Sequence, residues 1–235
     1  MIKYSEYTHI GGREENQDAS IALHKNDDYL FVVADGLGGY QGGQIASSQV
    51  IETIFTHYMD ESTKFLCAKA ILMANKDIIT KQQGNIKKMN STVAAVYINE
   101  KEIECVHVGD TRIYLFGKDN IIYQSDDHSV AYVSYLTGEI TLDGIRTHNN
   151  RNVLTRTLGS TQNVKISRKV FPKTEVYAGL ICSDGFWEYV YEEEMLTTFQ
   201  KSISPEDWLK RMRDIHQLRV PNEHDNNTAI VFTIA

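Results

Sequence analysis

Four aspartates stand where an apolar stretch begins or ends, and carboxylates placed in this way can hold hard cations. Asp35 follows Tyr-Leu-Phe-Val-Val-Ala and opens Asp-Gly-Leu-Gly-Gly. Asp110 follows Cys-Val-His-Val-Gly, Asp184 follows Gly-Leu-Ile-Cys-Ser, and Asp225 leads through Asn-Asn into Thr-Ala-Ile-Val-Phe-Thr-Ile. Apolar runs of that length read as buried strands, so these acids should project from strand ends of one core. Carboxylates gathered at one rim repel one another and shed water only at high cost. Divalent cations resolve that conflict. Two such ions about 3.5–4 Å apart activate water at neutral pH and clamp both oxygens of an in-line displacement. Asp35 is the best bridge between two ions, because the glycines after it let the backbone approach and offer the Gly36 carbonyl as a ligand. Asp184 and Asp225 can complete one ion, and Asp110 can serve a further one. An oxygen-only set favours magnesium or manganese over zinc.

Other motifs are weaker. The glycine-rich stretch from Gly36 to Gly43 fails both nucleotide fingerprints: a Gly-x-Gly-x-x-Gly frame begun at Gly36 ends on Gln41, and no Gly-Lys-Ser/Thr is present. Arg13, in Gly-Gly-Arg-Glu-Glu-Asn-Gln-Asp, has a guanidinium that matches phosphate oxygens in a fork. Its plainer alternative is a surface pair with Glu14 or Glu15. Arg112, after Gly-Asp-Thr, reads as structural, its head buried against nearby carboxylates. Ser125 to Ser129 (Ser-Asp-Asp-His-Ser) reads as a turn held by side-chain hydrogen bonds, since sequence neighbours do not face each other as a nucleophilic triad requires. His107, mid-strand, reads as core.

The elements that must position these residues alternate in blocks. A hairpin is expected from Ala19–Leu23 and Tyr29–Ala34, turning through Asn26, Asp27 and Asp28. Two helices follow, one with Ala46, Val50, Ile51, Ile54, Phe55 and Tyr58 on its stripe, the other with Ala68, Ile71, Leu72, Asn75, Ile78 and Ile79. Four strands are expected at Thr92–Ile98, Ile103–Val108, Arg112–Phe116 and Ile121–Gln124. A polar surface flap spans about 130–152. Strands resume near Val164–Val170 and Val176–Cys182, then helices over Glu192–Gln200 and Pro205–His216, and a last strand at Thr228–Ile234. Antiparallel runs with paired helices between them point to an α+β fold, two sheets face to face with helices outside.

Composition narrows the class. A chain of 235 residues at 42% hydrophobic can bury a full core as one domain over 1–235. The net charge of −7 argues against a nucleic-acid binder, which needs a basic face. Cys67, Cys105 and Cys182 lie far apart in apolar surroundings and read as buried thiols of a reducing compartment. With no apolar run near the ~18 residues of a membrane span, a soluble, cytoplasmic monomer without membrane contact is expected.

In order along the chain, several segments resemble the metal-dependent protein phosphatases of the type 2C family, the short bacterial branch in particular. They are Arg-Glu-Glu-Asn-Gln-Asp (13–18), Ala-Asp-Gly-Leu-Gly-Gly (34–39), Gly-Gly-Gln-Ile-Ala-Ser (42–47), Val-Gly-Asp-Thr-Arg-Ile-Tyr (108–114), Asp-His-Ser (127–129), Arg-Asn-Val-Leu-Thr-Arg-Thr-Leu-Gly (151–159), Cys-Ser-Asp-Gly-Phe-Trp-Glu (182–188) and Asp-Asn-Asn-Thr (225–228). The resemblance implies a β-sandwich flanked by helix pairs, with manganese or magnesium in the cleft at one end. It implies hydrolysis of phosphoserine and phosphothreonine by metal-activated water, opposing a bacterial serine/threonine kinase. It implies that Asp35 bridges two ions, Gly36 offers its carbonyl, Asp184 and Asp225 hold the first ion, Asp110 helps hold a third, and Arg13 binds the substrate phosphate. Departures are Gln17 and Leu37, where animal members carry glutamate and histidine, and Tyr40, Asn90 and Glu188, in place of a common histidine, glycine and aspartate; many bacterial members share the first. None removes a core ligand. Two rival readings share the site: a pseudophosphatase that binds phosphoproteins without cleaving them, and a hydrolase of small phosphoesters.

Overall fold

The computed structural model describes residues 1–38, 42–83 and 89–234. Its strands are β1 (Ile2–His9), β2 (Asp18–Lys25), β3 (Asp28–Leu37), β4 (Asn90–Ser91), β5 (Val93–Ile98), β6 (Glu102–Val108), β7 (Arg112–Phe116), β8 (Ile121–Gln124), β9 (Ser167–Pro172), β10 (Ala178–Cys182) and β11 (Asn227–Ile234). Its helices are α1 (Gly42–Met59), α2 (Cys67–Gln82), α3 (Val130–Leu136), α4 (Asp184–Trp187), α5 (Glu192–Lys201) and α6 (Pro205–Arg219). The strands form two antiparallel sheets, in the orders β1-β11-β10-β7-β8 and β2-β3-β5-β6-β9, with β4 against the end of β3. We refer to these as the first and second sheet.

Four layers result. The continuous run Leu30–Ala34 is buried throughout because β3 packs on both faces. Leu30, Val32 and Ala34 face α1 and α2, where Val50, Ile54, Ile71 and Ile78 meet them. Phe31 and Val33 face the first sheet, and the Phe31 ring stacks on Phe232 of β11 at 5.1 Å between centroids. On the far side, α5 and α6 cover the first sheet through Met195, Trp208, Leu209 and Met212. The expected sandwich is therefore the observed one. No helix among the described residues is long and apolar enough to cross a membrane.

Local departures have physical causes. β1 was not foreseen: only Ile2 of its eight residues is buried, because it is an edge strand paired to β11 alone. Phe55 and Leu72, expected on the core stripes, are 41% and 38% exposed. Each lies one position past the buried row set by Ile54 and Ile71, so the helix turns it outward. The flap contains α3, capped by Ser129 Oγ accepting from Tyr132 N, and a 3-10 turn at Asp143–Thr147.

Candidate metal centre

The pairing of the first sheet sets the order of the site. At one end His9 lies opposite Asn227, Ala229 opposite Cys182, and Cys182 opposite Arg112. The segments that leave β1, enter β11, leave β10 and enter β7 therefore run side by side. They carry Arg13, Asp225, Asp184 and Asp110 in that spatial order. The second sheet supplies Asp35 near the end of β3, with Asp18 opposite it on β2. Arg13, Asp35, Gly36, Asp110, Asp184 and Asp225 all line one cleft of about 400 Å3. The structure thus brings together every candidate site residue of the sequence analysis.

Backbone bonds hold each acid in place. Asp35 N donates to Thr92 Oγ1 at 3.0 Å, and its carbonyl accepts from Thr92 N at 2.8 Å and Ser91 Oγ at 2.9 Å. Gly36 touches Gly43 in the first turn of α1, and a Cβ on it would run into the Gly43 carbonyl. The close approach expected of the glycines is therefore between β3 and α1. Gly109 has φ +104°, where side chains are strained, and this turn delivers Asp110. Trp187 Nε1 donates to the Asp110 carbonyl at 3.0 Å. Asp184 opens α4, and its Oδ1 accepts from Gly185 N at 2.6 Å.

The acids are electrostatically unsettled. Burial pushes Asp35 well above the usual carboxylate range, and Asp18, Asp184, Asp110 and Asp225 push it further. Asp184 is raised likewise, by burial and then by Asp110 and Glu188. Burial, followed by the Asp127 charge, pushes Asp110 up to about 7. Asp18 rises to about 6 for the same leading reason, although Ser183 Oγ donates to its Oδ2 at 2.7 Å. Its other oxygen, Oδ1, is buried without a partner.

Hard divalent cations fit these residues. The donors are oxygens, the acids repel one another, and one buried oxygen lacks any hydrogen. Among the described residues no three His, Cys, Asp or Glu side chains form a closed ligand cage. An ion here would therefore complete its shell with water, as magnesium does. The cysteines are buried, as expected. His107 is buried and stacks on His128 at 4.8 Å, consistent with a core residue.

Arg13 is paired with Asp225. Its guanidinium forks onto Asp225, Nε to Oδ1 at 3.0 Å and Nη2 to Oδ2 at 2.9 Å. Both side chains are about half exposed (55% and 44%), so the pair is weak and easily exchanged. Arg112 behaves as expected. It lies buried in a fork with Asp127 at 2.8 and 2.7 Å, its guanidinium carbon 3.5 Å from the Trp187 ring centre. The Ser125–Ser129 turn is indeed held by side chains, with Ser125 Oγ accepting from Ile113 N at 2.9 Å.

Two site residues escaped the sequence reading. Asp18 is one, and register arithmetic could have found it: a two-residue turn at Asn26–Asp27 sets Lys25 opposite Asp28, and counting back sets Asp18 opposite Asp35. Asn226 is the other. Its Oδ1 accepts from Gln17 N at 2.8 Å and its Nδ2 donates to the Ile10 and Glu15 carbonyls at 2.7 and 3.0 Å. It thereby ties the loop carrying Arg13 to β11, a role that only the folded pairing reveals. Of the departures, Gln17 and Leu37 line the cleft, Asn90 pairs with Leu37, and Glu188 accepts from Arg151 of the flap end at 2.8 Å. Tyr40 lies outside the described residues.

Known proteins share this fold. The family profile described as protein phosphatase 2C matches residues 6–222. The chain belongs to that family. It is 28% identical over 216 residues to the serine/threonine phosphatase stp of Listeria welshimeri, covering 87% of this chain and 81% of the relative. Among solved structures, a bacterial serine phosphatase superposes with a TM-score of 0.89 at 26% identity, covering 100% of this chain and 98% of the other. The serine/threonine phosphatase Stp1 from Staphylococcus aureus superposes with a TM-score of 0.86 at 27% identity, covering 100% and 96%.

Proposed function

We propose that this protein removes phosphate from phosphoserine and phosphothreonine side chains of proteins modified by a serine/threonine kinase. Manganese or magnesium would complete the cleft. The observation that carries the reading is the convergence of Asp35, Asp110, Asp184 and Asp225 on one cleft, where the largest charges beside the first three are negative. Asp35 would bridge two ions with the Gly36 carbonyl on the second, Asp184 and Asp225 would hold the first, and Asp110 would hold a third with Asp184. Bound there, such ions supply water activation and charge neutralisation for in-line displacement at phosphorus.

The chain's own residues do the rest. Arg13 is the one basic side chain in the cleft lining among the described residues. Its exposed fork to Asp225 keeps five donors at the mouth, where a substrate phosphate can compete for them. Asn226 holds that loop in register with the acids. Family membership and the serine/threonine phosphatases among the relatives support the substrate class. A binding-only reading has less support, since all four cleft aspartates of the motif are present and converge.

The test is phosphate release from a phosphothreonine peptide, with manganese and with chelator, for wild type and Asp184→Asn. Release that needs the metal and is lost in the variant is expected. A folded, manganese-loaded wild type that releases none would contradict the proposal.

A further inference from the structure

The two ends of the cleft differ in chemistry. Strand order puts the segment after β1 at one end of the row of acids and the segment after β8, which becomes the flap, at the other. At the first end Glu14 and Glu15 line the cleft beside Arg13. At the flap end Asn152 and Leu154 line it, and Val153 between them is 50% exposed. Val153 is tied to α3, its carbonyl accepting from Val130 N at 2.8 Å. On α3, Val133 and Leu136 are 49% and 67% exposed and share one helix face, being three residues apart. An acidic end and an aliphatic end thus flank the phosphate-handling centre.

We infer that the preferred substrate is a phosphopeptide with a basic residue on one side of the phosphoamino acid and an aliphatic residue on the other. The basic side chain lies against Glu14 and Glu15, and the aliphatic one against Val133, Leu136 and Val153. This rests on the phosphatase reading and specifies its substrate. Charge supports the basic flank: the four aspartates are taken up by the metal, and the two acids of the lining that remain, Glu14 and Glu15, stand together at that end, where an acidic flank is repelled and a basic one attracted. Continuity supports the aliphatic flank, because Val153 sits between two residues of the cleft wall itself. The spans agree. Strands about 4.8 Å apart place β1 and β8 roughly 19 Å from each other, the length of about six extended residues. A phosphate held over β10 and β11 is therefore about two extended residues from the first end and about four from the flap end.

The experiment uses the manganese-loaded protein and phosphothreonine peptides that differ only at the flanks. One pair carries Lys and Leu on opposite sides in the two possible orders. Further peptides replace Lys by Glu, or Leu by Ser. In one order, wild type should favour Lys over Glu by about tenfold in kcat/KM and Leu over Ser by about fivefold. Glu15→Lys should abolish or reverse the first preference only. Val133→Ser with Leu136→Ser should abolish the second only. Each preference is a ratio on one preparation, so partial loss of folded or metal-loaded protein cancels. Equal rates on all peptides, or ratios unchanged in the variants, would overturn the inference. So would a change of oligomeric state in the α3 variant without a change in its ratios, which would make that face a self-association surface. Para-nitrophenyl phosphate separates the two levels. Its turnover alongside indiscriminate peptide cleavage refutes only the docking surfaces, while no turnover of any substrate refutes the phosphatase reading as well.

Discussion

Beneath Trp187, Arg112 and Asp127 meet in a buried fork, with Tyr114 and Glu192 taking further guanidinium donors at 3.0 and 3.4 Å. Elsewhere, in the cleft, Asp35, Asp110 and Asp184 have acids for their main charged neighbours, Asp110 buried and the other two partly open to the cleft. In the first region each buried charge is matched, so its desolvation is offset within the fold and it serves to hold α5, the flap turn and β7 together. In the second the mismatch costs stability. A fold that keeps such a cost at the end of its sandwich has it available for binding, because a cation that neutralises the acids also stabilises the native chain. The contrast separates structural charge from functional charge without any bound group in view.

The largest way to break this contrast is in the cleft. Asp35→Asn should cut metal-dependent turnover by about three orders of magnitude or more, since it removes the proposed bridge, while the chelated variant melts at or above the wild-type temperature. Steady-state rates and thermal melts check both halves. A variant that loses activity because it unfolds would place Asp35 with the structural charges.

The mirror change is in the matched pair. Asp127→Asn leaves the Arg112 charge buried without its counter-ion and should cost about 3–5 kcal/mol. That corresponds to a fall of roughly 6–20 °C in Tm for a chain of this size. Denaturant titration measures it, and a loss below about 1 kcal/mol would show that the pair is not the brace described here.

A pH series sharpens the comparison. Asp110 at about 7 and Asp18 at about 6 stand above their unfolded values, near 3.9. Between those limits the native state binds more protons than the unfolded chain, so stability is lost as pH rises through the native values. The chelated protein should therefore melt a few degrees higher at pH 5.5 than at pH 7.5, and manganese at pH 7.5 should recover the difference. A chelated protein that gains stability across that rise would reverse the sign.

The smallest effect is at Arg13. Arg13→Ala should raise KM for phosphopeptides about tenfold with a lesser change in kcat, because it removes binding to the phosphate. Unchanged kinetic constants would leave the guanidinium only its Asp225 partner.

Much of this was legible in the sequence, and the remainder follows a pattern. Asp35, Asp110 and Asp184 could be found because each ends a buried apolar run at a turn, a purely local signal. Arg112 could be called structural for a similar reason, lying at the start of β7 amid acids. The helices around Val50 and Ile71 were visible as stripes. Hidden were features that depend on who pairs with whom: Asp18 through the β2–β3 register, β1 through its single partner β11, and Asn226 through its bonds to the loop before β2. The Arg13–Asp225 fork joins residues 212 positions apart, a distance no local pattern encodes.

The central claim is that the unmatched acids exist to bind divalent cations, and metal counting tests it most directly. Wild type and Asp35→Asn would be dialysed against manganese and the bound metal per chain measured beside the protein concentration. The account predicts at least two ions on wild type and no more than one on the variant. Equal occupancy in the two, or none in either folded protein, would contradict it.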